Sequence, residues 1–199
     1  MTDTPKDNTG AKLGMWLFLF TELLLFGGLF LLYAVYRSEY SEDFHFAAGG
    51  LDIALGTLNT VILLTSSLFM AVSVAGVQKG DRKIALMSLS LTIALGIFFI
   101  ANKYFEWSAK IRHGIYPGSE HLSGLPAGEN IFYGLYYVMT GLHVFHVFAG
   151  VILLVVMMIM LKKNVIHAGD SARFENAGLY WHLVDIIWLF LFPLLYLIT

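Results

Sequence analysis

The chain has 199 residues, of which 58% are hydrophobic, 15% aromatic and only 13% charged, with no cysteine at all. An ordinary soluble domain carries about 25% charged and about 45–50% apolar residues, so this composition excludes one. The lack of cysteine excludes disulfides, thiolate metal sites and cysteine nucleophiles. A net charge of −2 without a concentrated basic face gives no reason to expect a nucleic-acid partner.

Crossing about 30 Å of hydrocarbon takes roughly 20 helical residues, because a helix satisfies its own backbone groups where water cannot. Five stretches are long and apolar enough: Leu13–Tyr36, Leu51–Gly76, Ile84–Phe105, Ile131–Leu161 and Ala177–Ile198. They predict an all-α integral membrane bundle of five transmembrane helices, a single domain over 13–199 preceded by a polar tail, Met1–Lys12. The first stretch runs too long for a removable signal peptide and ends without a small-residue cleavage pattern, so it is expected to remain as a helix. The fourth is longer than a perpendicular crossing needs, which predicts tilt or an extension beyond the lipid. Between the third and fourth, Trp107–Asn130 carries Pro117, Pro126 and four glycines and is expected to be an external loop.

Charge in the short connectors sets the orientation. One face collects Lys6, Lys12, Lys79, Arg82, Lys83, Lys162, Lys163 and Arg173, and the other only Arg37, Lys110 and Arg112. Lys and Arg are retained on the cytoplasmic side, so the N-terminus is expected inside and the C-terminus outside.

Polar groups inside lipid are costly unless partnered, and each one asks for a reason. Glu22 lies among Phe18, Leu19, Leu23, Leu25 and Phe26. It reads either as a proton-related carboxyl or as hydrogen-bonded glue between helices. In the second stretch Asp52, Asn59, Ser66 and Ser73 recur every seven residues beside Thr60 and Ser67, a stripe that predicts helix packing. The third ends in Asn102–Trp107, which resembles an interfacial anchor in which Lys103 and Glu106, three apart, pair locally.

The fourth stretch holds Thr140, His143, His146 and Gly150, and the fifth holds Glu175, Trp181, His182, Asp185 and Trp188. Imidazoles on two helices admit a single bridged haem, or a mononuclear metal at His143, His146, His182 and Asp185, with Asp185 also placed to orient a histidine. They equally admit a seam of hydrogen-bonded histidines with no metal. No phosphate loop, nucleophile elbow or His-Glu-x-x-His motif is present, so no catalytic residue is assigned.

Tyr180-Trp181-His182-Leu183-Val184-Asp185-Ile186-Ile187-Trp188-Leu189-Phe190-Leu191-Phe192, preceded by Phe174-Glu175, resembles the C-terminal signature of subunit III of the haem-copper respiratory oxidases. Thr140-Gly141-Leu142-His143-Val144-Phe145-His146-Val147-Phe148-Ala149-Gly150 is similar to a second motif of that family. Gly14–Phe18 with Glu22, and Leu58-Asn59-Thr60 with Ser66-Ser67, add weaker matches. The chain corresponds to the short five-helix form, which lacks the two additional N-terminal helices of longer members. The resemblance implies a non-catalytic subunit of an oxygen-reducing, proton-translocating oxidase. It implies no metal or other cofactor on this chain, haem and copper in a catalytic subunit I, bound phospholipid, and support of proton uptake and of the catalytic subunit's stability. It places Glu22 at the family's carbodiimide-reactive carboxyl. Asn59, Ser66, Thr140, His143, His146, Glu175, Trp181, His182 and Asp185 fall at packing and assembly positions, and a bacterial inner membrane is the expected location. Five-helix relatives also accompany quinol oxidases and nitric oxide reductases, so an accessory subunit of a nitric oxide reductase is the alternative. A haem-binding membrane cytochrome and a proton-coupled carrier built around Glu22 rank below both.

Overall fold

The computed structural model describes residues 8–167 and 171–198, all of their regular structure being helical. In chain order the helices are α1 (Asn8–Glu39), α2 (Ser41–Ala48), α3 (Ile53–Gln78), α4 (Arg82–Arg112), α5 (Glu120–Ser123), α6 (Ala127–Lys162) and α7 (Ala172–Tyr196). Five of them, α1, α3, α4, α6 and α7, are long and apolar enough to cross a membrane. Two short helices, α2 and α5, sit in the connectors at one end of the bundle. Lys6 lies outside the described residues.

Several boundaries differ from the sequence reading, and at the largest shifts the helix outruns its apolar segment, α7 for one beginning at Ala172 rather than Ala177. α1 begins at Asn8, within the expected polar tail. α4 continues past Phe105 to Arg112, and α6 begins at Ala127, so the expected loop over 107–130 shrinks to a short turn around α5. Backbone hydrogen bonding continues wherever polar side chains find water or partners, so hydropathy alone stops too early.

Local chemistry fixes the turns. The Asp52 carboxylate accepts from the Leu55 amide and the Asp81 carboxylate from the Ile84 amide, both at 3.0 Å, capping α3 and α4. Gly80, with φ +75°, closes the tight α3–α4 turn in a conformation that favours glycine.

α3, α4, α6 and α7 form the packed unit, with α1 laid along α6 and α7. Over its most apolar window α7 is 56% buried and α1 only 11%, which makes α7 the central helix and α1 the edge. Small residues let the helices approach. A Cβ at Gly96 of α4 would meet the Trp181 ring at 2.7 Å, and one at Gly150 of α6 would meet the same ring at 3.0 Å. The indole of α7 is therefore clasped between two glycine faces.

Candidate functional site

Leu19, Glu22 and Phe26 recur at three- and four-residue spacing, so one stripe of α1 carries the acid between two buried apolar anchors. That stripe faces α6. Glu22 Oε2 lies 2.9 Å from His146 Nε2, with the two side chains only 14% and 10% exposed. His146 Nδ1 is 2.8 Å from the Leu142 carbonyl, which only accepts, so Nδ1 carries a hydrogen. Glu22 Oε2 thus faces Nε2 at ion-pair distance without completing a hydrogen bond, a close polar approach between α1 and α6. The Phe26 ring, its centre 5.4 Å from the imidazole centre in an edge-to-face arrangement, and the Tyr180 hydroxyl, which donates to the His146 carbonyl at 3.0 Å, hold the histidine's segment in place.

The stripe on α3 meets α7 in antiparallel register. The Trp188 indole donates to Thr60 at 3.0 Å and the Trp181 indole to Ser66 at 3.1 Å, and Ser67 Oγ lies 2.7 Å from His182 Nδ1. Asn59 and Ser66 are fully buried, and Asn59 accepts from Asn102 of α4 at 3.1 Å. Thr140 is buried and donates to the Tyr136 carbonyl of its own helix at 2.6 Å. Glu175, in the first turn of α7, accepts from Gln78 and Ser171 and sits 3.5 Å from Lys12.

The candidate ligand residues point apart. His146 meets Glu22 of α1, His182 meets Ser67 of α3, and fully buried His143 packs its ring on Phe99 and Trp188 with neither nitrogen hydrogen-bonded. Among the described residues, no three His, Asp or Glu side chains converge as a metal set. The mononuclear reading required that convergence and the geometry does not supply it, while the pair a bridged haem would use, His182 with His146 or His143, is turned to different neighbours. Asp185 does not orient a histidine either, because the Ser67 hydroxyl takes the His182 nitrogen.

The Asn102–Trp107 segment is also corrected. Lys103 does pair with Glu106 at 2.9 Å, but it is completely buried rather than interfacial. Its ammonium also donates to Tyr196 at 2.8 Å and lies 5.1–6.0 Å from the ring centres of Trp107, Tyr136, Trp188 and Tyr196. Tyr136 and Tyr196 each donate to Glu106 Oε1 at 2.6 Å. Further along the same face, Lys110 donates to the Gly50 carbonyl at 3.1 Å. The signal was present in the sequence: Lys103, Glu106 and Lys110 follow three- and four-residue spacing on one face of an apolar helix, which marks a protein-facing stripe.

The sequence matches the cytochrome c oxidase subunit III family over residues 2–199. The chain belongs to that family. It is 33% identical to a haem-copper oxidase subunit I+III of Aeropyrum pernix over 98% of this chain, spanning 23% of that protein's length. A cytochrome c oxidase subunit 3 of Thermostichus vulcanus is 31% identical, covering 94% of this chain and 87% of the relative. The corresponding subunit of Sus scrofa is 32% identical over 94% of this chain and 69% of its own length. The resemblance read from Thr140–Gly150 and Tyr180–Phe192 is borne out. As a subunit III, the chain is a multi-pass membrane protein and an accessory component of a respiratory haem-copper oxidase, working in a complex with other oxidase subunits.

Proposed function

We propose that this subunit III docks against the haem- and copper-bearing subunit I of an oxygen-reducing oxidase, and that it conditions the proton entrance of that partner through the Glu22–His146 pair. The chain itself contributes packing, charge and lipid contact rather than redox chemistry. The 2.9 Å approach of Glu22 to His146 carries this reading, because a carboxyl and an imidazole side by side within an apolar span are the two groups best suited to pass a proton. The name of the Aeropyrum pernix relative, subunit I+III, supports a close association of the two kinds of subunit. The basic end of the bundle lies on the cytoplasmic face of a bacterial inner membrane. There Lys and Arg attract anionic phospholipid headgroups, each worth about 1 kcal/mol.

The test is turnover-coupled proton uptake by the purified complex carrying Glu22→Gln or His146→Gln. Slower uptake from the basic side, with subunit content unchanged, is the expected outcome of either substitution. Wild-type uptake in both variants would contradict the assignment.

A further inference from the structure

Glu22 is not the only acid in the apolar span. Asp185 of α7 is 3% exposed, and neither carboxyl oxygen completes a hydrogen bond. Among the described residues no Lys, Arg or His is ion-paired with it. An unpaired charge in hydrocarbon is costly, and a proton removes it. Its polar neighbour is Ser67 of α3, whose hydroxyl lies 2.7 Å from His182 Nδ1, so the carboxyl must turn to donate to the Ser67 oxygen. Of the other polar groups on the facing helices, Ser66 is engaged with Trp181, Thr60 with Trp188 and His146 with Glu22, while His143 makes no hydrogen bond and packs its ring on Phe99 and Trp188.

His182 is partly exposed and lines a groove between α3 and α7 with Ala71, Val74, Gln78, Glu175 and Gly178. The groove runs from the polar mouth at Glu175 to His182, about 10 Å deeper at 1.5 Å per residue. With Nδ1 committed to Ser67, Nε2 is the ring nitrogen available to it.

We infer that Asp185, Ser67 and His182 form a proton relay that connects a buried carboxyl to water in this groove, a site separate from Glu22. In the resting arrangement Asp185 carries the proton, Ser67 donates to Nδ1, and the hydrogen on the ring sits at Nε2. Release is concerted. Nε2–H passes its proton to a groove water, the Ser67 hydrogen moves to Nδ1, and the Asp185 proton moves to the Ser67 oxygen. Three O–H or N–H bonds break and three form. Asp185 is left ionised, the water gains one proton, and the imidazole remains neutral in its other tautomer. Uptake is the reverse.

Infrared spectroscopy of the assembled complex tests this, the difference between wild type and Asp185→Asn isolating the Asp185 signal. The relay predicts a protonated-carboxyl band that is absent from Asp185→Asn and shifts promptly in heavy water. Ser67→Ala should slow that shift at least tenfold, Ser67→Thr should preserve it, and His182→Phe should slow it as Ser67→Ala does. Absence of an Asp185-dependent protonated-carboxyl band would overturn the proposal. So would unchanged exchange in Ser67→Ala or, should that variant fail to assemble, in His182→Phe.

Discussion

Glu22 and Lys103 are both ionisable side chains inside apolar helices, and the bundle accommodates them differently. Glu22 lies on the edge helix with a single histidine contact, whereas Lys103 sits at the centre with a carboxylate, two tyrosine hydroxyls and four aromatic faces. Glu22→Gln, nearly isosteric, should leave assembly intact and abolish carbodiimide labelling of this chain. Full labelling in that variant would remove Glu22 as the reactive carboxyl. Lys103→Met should be far more damaging, since stranding one member of a buried ion pair costs about 3–5 kcal/mol. In Lys103→Met/Glu106→Gln no charge is stranded, and the amide oxygen still accepts from Tyr136 and Tyr196. A thermal-melting series of the complex should therefore rank the double variant above Lys103→Met alone.

Helix packing turns on a few close approaches. The Trp181 ring fills the space opposite Gly96 and Gly150, and a dense interior has little room for added atoms. Gly96→Leu should destabilise the bundle by about 1–3 kcal/mol through overpacking, read as a lower melting temperature of the complex, while the same change at exposed Gly28, where an added Cβ would meet nothing within 4 Å, should have little effect. Equal losses at the two sites would contradict this account of the seam. Helix number and type were legible in the sequence because lipid demands long apolar runs. Helix ends were not, since Glu106, Lys110 and Arg112 are polar yet helical. Partners across helices were hidden for a related reason: spacing reports which residues share a face, as with His143 and His146, but not how far that face turns or which helix meets it. His146 thus found Glu22, and His143 found only aromatic rings.

On the scale of the whole molecule, charge and burial divide the bundle. One end gathers the basic connectors and the other holds α2 and α5, with α7 at the centre and α1 exposing most of its apolar surface. The absence of cysteine makes orientation directly measurable, because any introduced thiol is the only one on the chain. A membrane-impermeant maleimide added to intact cells should label Glu120→Cys and spare Lys83→Cys, and the reverse pattern would invert the bundle. The central claim, that this chain serves a redox enzyme without carrying its redox centres, is tested by capturing it from native membranes in mild detergent. A reduced-minus-oxidised spectrum of the complex is recorded, followed by haem and copper assays of each separated subunit. Haem and copper confined to a larger co-purifying subunit is the predicted result. Haem on this chain, or capture without any redox partner, would contradict it.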